Sequence, residues 1–427
     1  MTKSLARTVT TSMIGNLFEW YDFALFGYFA AIIGKLFFPS NDPTTELLLS
    51  FGTFAAGFIV RPIGGMIFGH IGDQWGRKTA LVATILLMAI PTTIIGLLPT
   101  YAEWGVWAPV ALVIMRMLQG LSMGGNYGGS ITFTTEHSKP EQRGLIGSFA
   151  VTSCLAGFLL GSITATVFTS YLTEEQLYTW GWRLPFLMGV LICFVGFYMR
   201  LKIPESPEYL AEQQAGTVSK APIKEVFQSY GGTLSLVILT VGLHDVSFYM
   251  LLVYMATYLS EVIGLPKDTA FAINTINLLV VCIFTVGSAW LSDKIGRKPV
   301  LTAAAILFII GTIPLLTIVT STQDPYLILF SQMALAVAVG CYFGPLPALM
   351  AEMYPTKIRY SAIAMTTNIS GPLFGGITPM LITYLISATG STMVPAYYLM
   401  LIAVISLIAL RFLGPPISSS REAPAFA

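Results

Sequence analysis

A helix that crosses a bilayer needs about 20 consecutive apolar residues, and this chain offers twelve runs of that length. They lie at 12–36, 47–71, 79–98, 106–133, 144–170, 181–201, 231–262, 268–291, 299–319, 325–353, 359–388 and 393–412. Lipid offers no partner to an unpaired peptide group, so each run is expected to be a helix. Composition agrees: 10% of the 427 residues are charged and 55% are hydrophobic, whereas a soluble domain carries about 25% charged residues. The expected fold class is an all-α membrane protein with twelve transmembrane helices.

Lysine and arginine placement tests that count, because cytoplasmic loops collect these residues. With the N-terminus inside, 17 of them fall on the cytoplasmic side, only Lys35, Arg183 and Lys267 fall opposite, and Arg61 and Arg116 lie within spans. Both termini are therefore expected to be cytoplasmic. The first apolar run contains Glu19 and Asp22 and lacks a small-x-small cleavage site, so it reads as a permanent span rather than a leader. The longest polar interval, 203–230, separates six spans from six, which sets an N-terminal bundle at 1–202, a cytoplasmic linker and a C-terminal bundle at 231–427. A net charge of +1 gives no field for a nucleic-acid partner. Cys154, Cys193, Cys282 and Cys341 are scattered through apolar runs, and His70, His137 and His244 are equally dispersed. Neither set suggests a metal site or a disulfide framework.

The chain repeats itself. "GHIGDQWGRK" at 69–78 returns as "AWLSDKIGRK" at 289–298. Glu136 and Arg143 bracket a later loop, and Glu352 and Arg359 bracket its counterpart at nearly the same offset. Two duplicated loops at nearly constant spacing imply two six-helix halves of one architecture, with a binding site expected near the membrane midplane between them. Asp73, Arg77, Glu136, Arg143, Asp293, Arg297, Glu352 and Arg359 are expected to form ion pairs that latch one conformation and release in another. Asp73 and Asp293 are placed by this reading at helix N-termini, where negative charge is favoured.

These features resemble the major facilitator superfamily. "NLFEWYDFALFGYF", "FIVRPIGG", "GWRLPFLMG", "IPESPEYL" and "YPTKIRYSAIAMTTNIS" resemble its metabolite:proton symporters. "FYMLLVYMATYLS" and "MVPAYYLM" are most similar to the proline/glycine betaine branch. The resemblance covers nearly the whole chain and implies two pseudo-symmetric six-helix bundles, alternating access and coupling to the proton gradient without a cofactor. It also implies a bacterial inner membrane and a chain that works as a monomer. Osmosensing members of that branch carry a long C-terminal coiled coil. No heptad follows the last span here, so osmotic gating is not expected.

Charges at bilayer depth mark the expected site. At 100° per residue, Asn16, Glu19 and Asp22 share one helix face, and such a face belongs against a wet cavity rather than lipid. Desolvation disfavours the charged form of a carboxylate, so an acid there can hold a proton near neutral pH. Arg116 is a permanent cation within a span and needs a carboxylate or a substrate. The resemblance implies that it takes part in proton coupling. Its counterpart in the second half is Gln332. Matching Phe23 to Phe248 sets Glu19 opposite His244, next to Asp245. Asn126 stands where the symporter family usually carries a glutamate, which removes one titratable group. Proton coupling is accordingly expected of Glu19, Asp22, Arg116 and Asp245.

Substrate contacts are expected from Asn16, Glu19, Tyr21, Arg61, Arg116, Asn126, Tyr127, His244, Phe248 and Tyr342. A quaternary ammonium is held by aromatic faces and a carboxylate, while its own carboxylate seeks an arginine. Acids and arginines together favour a small zwitterion such as proline or betaine. A di- or tricarboxylate such as 2-oxoglutarate or citrate, or a shikimate-type acid, is the alternative. A proton/drug antiporter is less favoured because Arg61 and Arg116 lie within spans. No metal cluster or nucleophile constellation points to an enzyme.

Overall fold

The structure, a computed structural model, describes residues 3–41, 43–202 and 204–417. The tail expected to follow the last helix lies outside the described residues from 418 onward, as do the side chains of Lys3, Arg7, Cys193, Arg200 and Lys267. The regular elements are helices. The first half comprises α1 (Lys3–Tyr28), α2 (Ala30–Phe37), α3 (Pro43–Gln74), α4 (Arg77–Leu97), α5 (Trp107–Glu136), α6 (Arg143–Tyr171) and α7 (Arg183–Lys202). Two short helices, α8 (Pro207–Gln214) and α9 (Pro222–Ser229), occupy the linker. The second half comprises α10 (Gly231–Ser247), α11 (Lys267–Ile295), α12 (Arg297–Ser321), α13 (Pro325–Phe343), α14 (Leu346–Glu352), α15 (Arg359–Ser370), α16 (Thr378–Thr389) and α17 (Val394–Phe412). Among the described residues nine helices are long and apolar enough to cross a membrane, or ten if the bent pair α1–α2 is one span.

Several apolar runs are not single straight helices. The first bends by 65° between Tyr28 and Ala30. Phe29, at φ −90° and ψ 7°, is pulled into a core with Phe26, Phe37, Trp182 and Phe186. The run after α10 continues as π-helical turns at Phe248–Tyr254 and Tyr258–Val262. The run after α15 does so at Gly371–Gly376, where Pro372 lacks an N–H to donate. π turns inside α-helices occur frequently at functional sites.

By internal packing the chain forms two compact units, Met1–His137 with Ser153–Ile223, and Ser138–Thr152 with Lys224–Ala427. The linker is shared between them. The Tyr209 hydroxyl on α8 donates to the Gln74 carbonyl at 2.8 Å in the first unit, and Glu225 on α9 pairs with Lys357 in the second.

Helices in lipid gain little from burying apolar surface against each other, so close packing by small residues decides how they associate. In the first unit a Cβ on Gly64 would stand 2.0 Å from the Leu121 carbonyl, and one on Gly120 would stand 2.0 Å from the Gly57 carbonyl. α3 and α5 thus touch backbone to backbone. In the second unit Gly340 and Gly344 bring α13 against Val281 and Thr285 of α11 in the same way. α1 is seated by α6, where a Cβ on Gly157 would stand 2.2 Å from the Leu17 carbonyl.

Candidate functional site

In the first unit the α1 face forms as its periodicity predicts. Asn16, Glu19 and Asp22 are at most 3% exposed. They feed two adjoining clusters. In one, the Asn126 amide donates to Asn16 Oδ1 at 3.2 Å and to Glu19 Oε2 at 2.5 Å. Cys154 on α6 lies close enough to feel the charges of Glu19 and Arg61. In the other, Arg116 Nη1 donates to Asp22 Oδ2 at 3.1 Å and to Gln119 Oε1 at 2.7 Å. Gln119 Nε2 then donates to Asp22 Oδ2 at 2.9 Å and to Thr92 Oγ1 at 2.7 Å. Phe26 covers the Arg116 guanidinium, 4.0 Å from the ring centroid, and Phe58 faces Arg61 at 5.2 Å. The first cluster pairs a carboxylate with neutral amides. The second balances one carboxylate against one guanidinium through an amide bridge.

Two sequence expectations are corrected here. Tyr21 does not join the cluster, because it points away from the Glu19 face. Its ring belongs to the core around Trp182, and its hydroxyl donates to the Pro185 carbonyl at 3.2 Å. Tyr342 is fully buried and spends its hydroxyl on the Thr240 carbonyl at 2.8 Å, where it ties α13 to α10. Tyr127 is buried beside Asn126.

The second unit has a smaller polar group. His244 Nδ1 lies 3.0 Å from Asp245 Oδ1, and the imidazole packs 4.1 Å from the Phe343 ring. The Ser370 hydroxyl donates to Asp245 Oδ2. Phe248, the first residue of the π segment, stacks on Phe343 and meets Tyr249 edge-on. A Cβ on Gly375 would stand 2.5 Å from the Tyr249 ring, so the π turns of both runs meet beside Asp245. Gln332, the counterpart of Arg116, accepts from Asn277 Nδ2 at 3.2 Å.

The duplicated loops form duplicated ion-pair clusters. Arg77 Nη1 donates to Asp73 Oδ1 at 2.9 Å and to the Gly72 carbonyl at 2.6 Å. Its other nitrogens meet both Glu136 oxygens at 3.2 Å. Arg297 pairs with Asp293 and, at 3.0 Å, with Glu352. Asp73 lies in the last turn of α3, not at a helix N-terminus, and Arg77 offsets the charge that this helix end disfavours. Asp293 does cap an N-terminus, that of α6, by accepting from the Gly144 and Leu145 amides at 2.8 and 2.9 Å. Arg143 is half-buried as the first residue of that helix, and Arg359 donates to the Tyr354 carbonyl at 3.3 Å. Sequence reasoning missed Gln119, Thr92, Ser206 and Ser370. Gln119 was the one with a signal, since it stands three residues beyond Arg116 on the same helix face. Ser206 donates to Glu136.

"GLSMG" at 120–124 has the spelling of a hydrolase nucleophile elbow, which requires a strand-to-helix turn. Here it lies inside α5, and the Ser122 hydroxyl donates to the Thr84 carbonyl at 2.6 Å.

Apolar helices long enough to cross a membrane, repeated in two halves that each carry buried ion pairs, define a polytopic membrane protein. The sugar (and other) transporter family matches residues 8–224 and, a second time, residues 211–414. The chain belongs to that family, within the major facilitator superfamily. It is 36% identical over 413 residues to the proline/betaine transporter of Salmonella typhimurium, covering 95% of this chain and 82% of that one. It is 36% identical over 426 residues to a putative proline/betaine transporter of Staphylococcus aureus, covering 96% and 88%. Among solved structures, a proton:xylose symporter bound to 6-bromo-6-deoxy-D-glucose superposes with a TM-score of 0.80 at 20% identity, covering 96% of both chains. The E. coli xylose transporter in a partially occluded inward-open form gives 0.73 at 19% identity, covering 98% and 99%. These two structures share its fold.

Proposed function

We propose that this transporter is a proton-coupled symporter of a small zwitterion of the proline or betaine type. The observation that carries the reading is the joined pair of clusters in the first unit, Glu19–Asn126–Asn16 and Asp22–Arg116–Gln119. Protonation of Asp22 removes the charge that holds Arg116 and leaves the guanidinium to take the substrate carboxylate. Glu19 then faces the cationic end, with Asn126 and Asn16 as hydrogen-bonding neighbours and Tyr127 beside them. Arg61, which like Glu19 lies within electrostatic reach of Cys154, contributes to the anion side. His244, Asp245 and Phe248 are the contribution of the second half to binding and coupling. The names of the 36%-identical relatives and the coexistence of acids and arginines support a zwitterion over a di- or tricarboxylate.

Twelve spans with both termini cytoplasmic follow if α3 and α7 cross the membrane alongside the ten apolar spans, and the lysine and arginine distribution supports that topology. The protein then works as a monomer in the bacterial inner membrane, with no cofactor and the proton gradient as its only drive. The Asp73–Arg77–Glu136 and Asp293–Arg297–Glu352 clusters act as latches that open during alternating access, with Arg143 and Arg359 beside them.

Uptake of radiolabelled proline, betaine, 2-oxoglutarate, citrate and shikimate into proteoliposomes tests the proposal. Proline or betaine is expected to accumulate only under an inward proton gradient. Accumulation that survives collapse of the gradient would overturn symport, and preferential citrate uptake would overturn the substrate class.

A further inference from the structure

Where α12 begins and α17 ends, the second unit carries a groove of about 600 Å3. Lys298 and Arg411 line it together with Thr302, Leu407, Ile408 and Phe412. Ile408 and Phe412 are 53% and 72% exposed, as expected of residues that face lipid. Lys298 donates to the Leu413 carbonyl, which holds its ammonium at the groove. Arg411 is near enough to act on it as a like charge. Among the described residues no carboxylate pairs with either cation.

The first unit builds the same corner with a carboxylate close by. There Lys78, the equivalent lysine of the duplicated loop, makes the same contact, its Nζ donating to the Leu201 carbonyl at 2.9 Å. The Glu205 carboxylate accepts from the Lys78 amide at 3.1 and 3.2 Å. That carboxylate sits on the amide at the start of α4, beside the lysine rather than on its ammonium. In the second unit two cations stand over an apolar groove with no carboxylate paired to either among the described residues.

We propose that this groove binds an anionic phospholipid, with Lys298 and Arg411 on the phosphodiester and an acyl chain along Leu407 and Ile408. Free phosphate would use the cations and leave the apolar wall uncovered, whereas a lipid uses both. Each cation near an anionic lipid surface contributes about a factor of five in affinity.

The test uses the full chain in detergent, titrated with dioleoyl-phosphatidylglycerol and read by native mass spectrometry. The wild type is expected to retain one such lipid, and K298Q/R411Q to bind it roughly thirty-fold more weakly, the product of two factors of about five. R411K, which keeps the charge, stays within about threefold of wild type. If the double variant aggregates, K298Q and R411Q singly carry the test at about fivefold each. Dioleoyl-phosphatidylethanolamine and millimolar inorganic phosphate are expected not to displace the bound lipid. Equal binding by the double variant, equal binding of the ethanolamine lipid, or displacement by phosphate overturns the proposal. So does binding that emerges only after residues 418–427 are removed, because the chain's own tail is then the occupant.

Discussion

The two units set the same helices around unlike interiors. At the level of Arg116 the first unit holds a guanidinium, a carboxylate, an amide and the Thr92 hydroxyl in one network. The second unit keeps the threonine, as Thr312, but has Gln332 for the arginine, Leu335 for Gln119 and an Asn277 partner. Duplication preserved the scaffold and concentrated permanent charge in one half. A buried ion pair is weak evidence for stability, so the first-unit network is better explained by what it does. The neutral pair in the second unit serves as an internal control for that explanation.

Breaking the charged network should produce the largest effect. Asp22→Asn leaves Arg116 buried without its carboxylate. The ~3–5 kcal/mol cost of such a break should lower gradient-driven uptake by at least about a hundredfold. Glu19→Gln should abolish concentration of substrate against its gradient. Normal accumulation by either variant in proteoliposomes would remove that residue from the coupling scheme.

Packing gives the next contrast. A Cβ on Gly120 would meet the Gly57 carbonyl at 2.0 Å, while the matching position in the second unit is already Ala336. Gly120→Ala should therefore destabilise by ~1–3 kcal/mol or more through overpacking, and Ala336→Gly by only about 1 kcal/mol. Detergent melting curves of the two variants compare these costs directly. The neutral pair should matter less to transport. Gln332→Leu leaves Asn277 without its acceptor at a cost of about 1–3 kcal/mol, whereas Asn277→Leu with Gln332→Leu should be nearly neutral. Neither change should move uptake by more than about threefold, since both leave the charged network of the first unit intact.

The smallest expected effect is at His137, which caps α5. Its Nδ1–H donates to the Phe133 carbonyl at 2.8 Å, and burial lowers its pKa below the ordinary histidine value. The unfolded chain therefore takes up the proton first as pH falls. The stability of the neutral form is complete above about pH 6.5 and declines as pH drops below it. His137→Gln should flatten that part of a melting-temperature profile, and an unchanged slope would show that other groups set it.

Much of the first-unit face could be read from the chain, because the spacing of Asn16, Glu19 and Asp22 matches one side of a helix. Their partners could not be assigned the same way. Whether Arg116 or Arg61 meets Asp22 depends on how α5 and α3 dock, which glycines at 57, 64, 120 and 124 decide. Tyr21 is misplaced by aromatic character alone, which does not report direction, and it stands about 200° around the helix from Glu19. The π turns at Phe248–Tyr254 contain neither glycine nor proline and left no local mark. The bend at Phe29 depends on tertiary packing around Trp182. Ser206 and Ser370 are single hydroxyls whose importance comes only from the acids they meet.

The spacing between the halves also preserves an edit made since they diverged. Thr92 matches Thr312 and Arg116 matches Gln332, yet the stretch from Thr92 to Arg116 is longer than the stretch from Thr312 to Gln332. The first half therefore gained chain between these positions, or the second lost it. That interval contains the short helix Tyr101–Trp104, while the second half joins α12 to α13 through residues 322–324. An indel in a connection leaves the registers on either side untouched, whereas one inside a helix would rotate every residue beyond it. The gene could therefore change length at this point without disturbing the chemistry at either end.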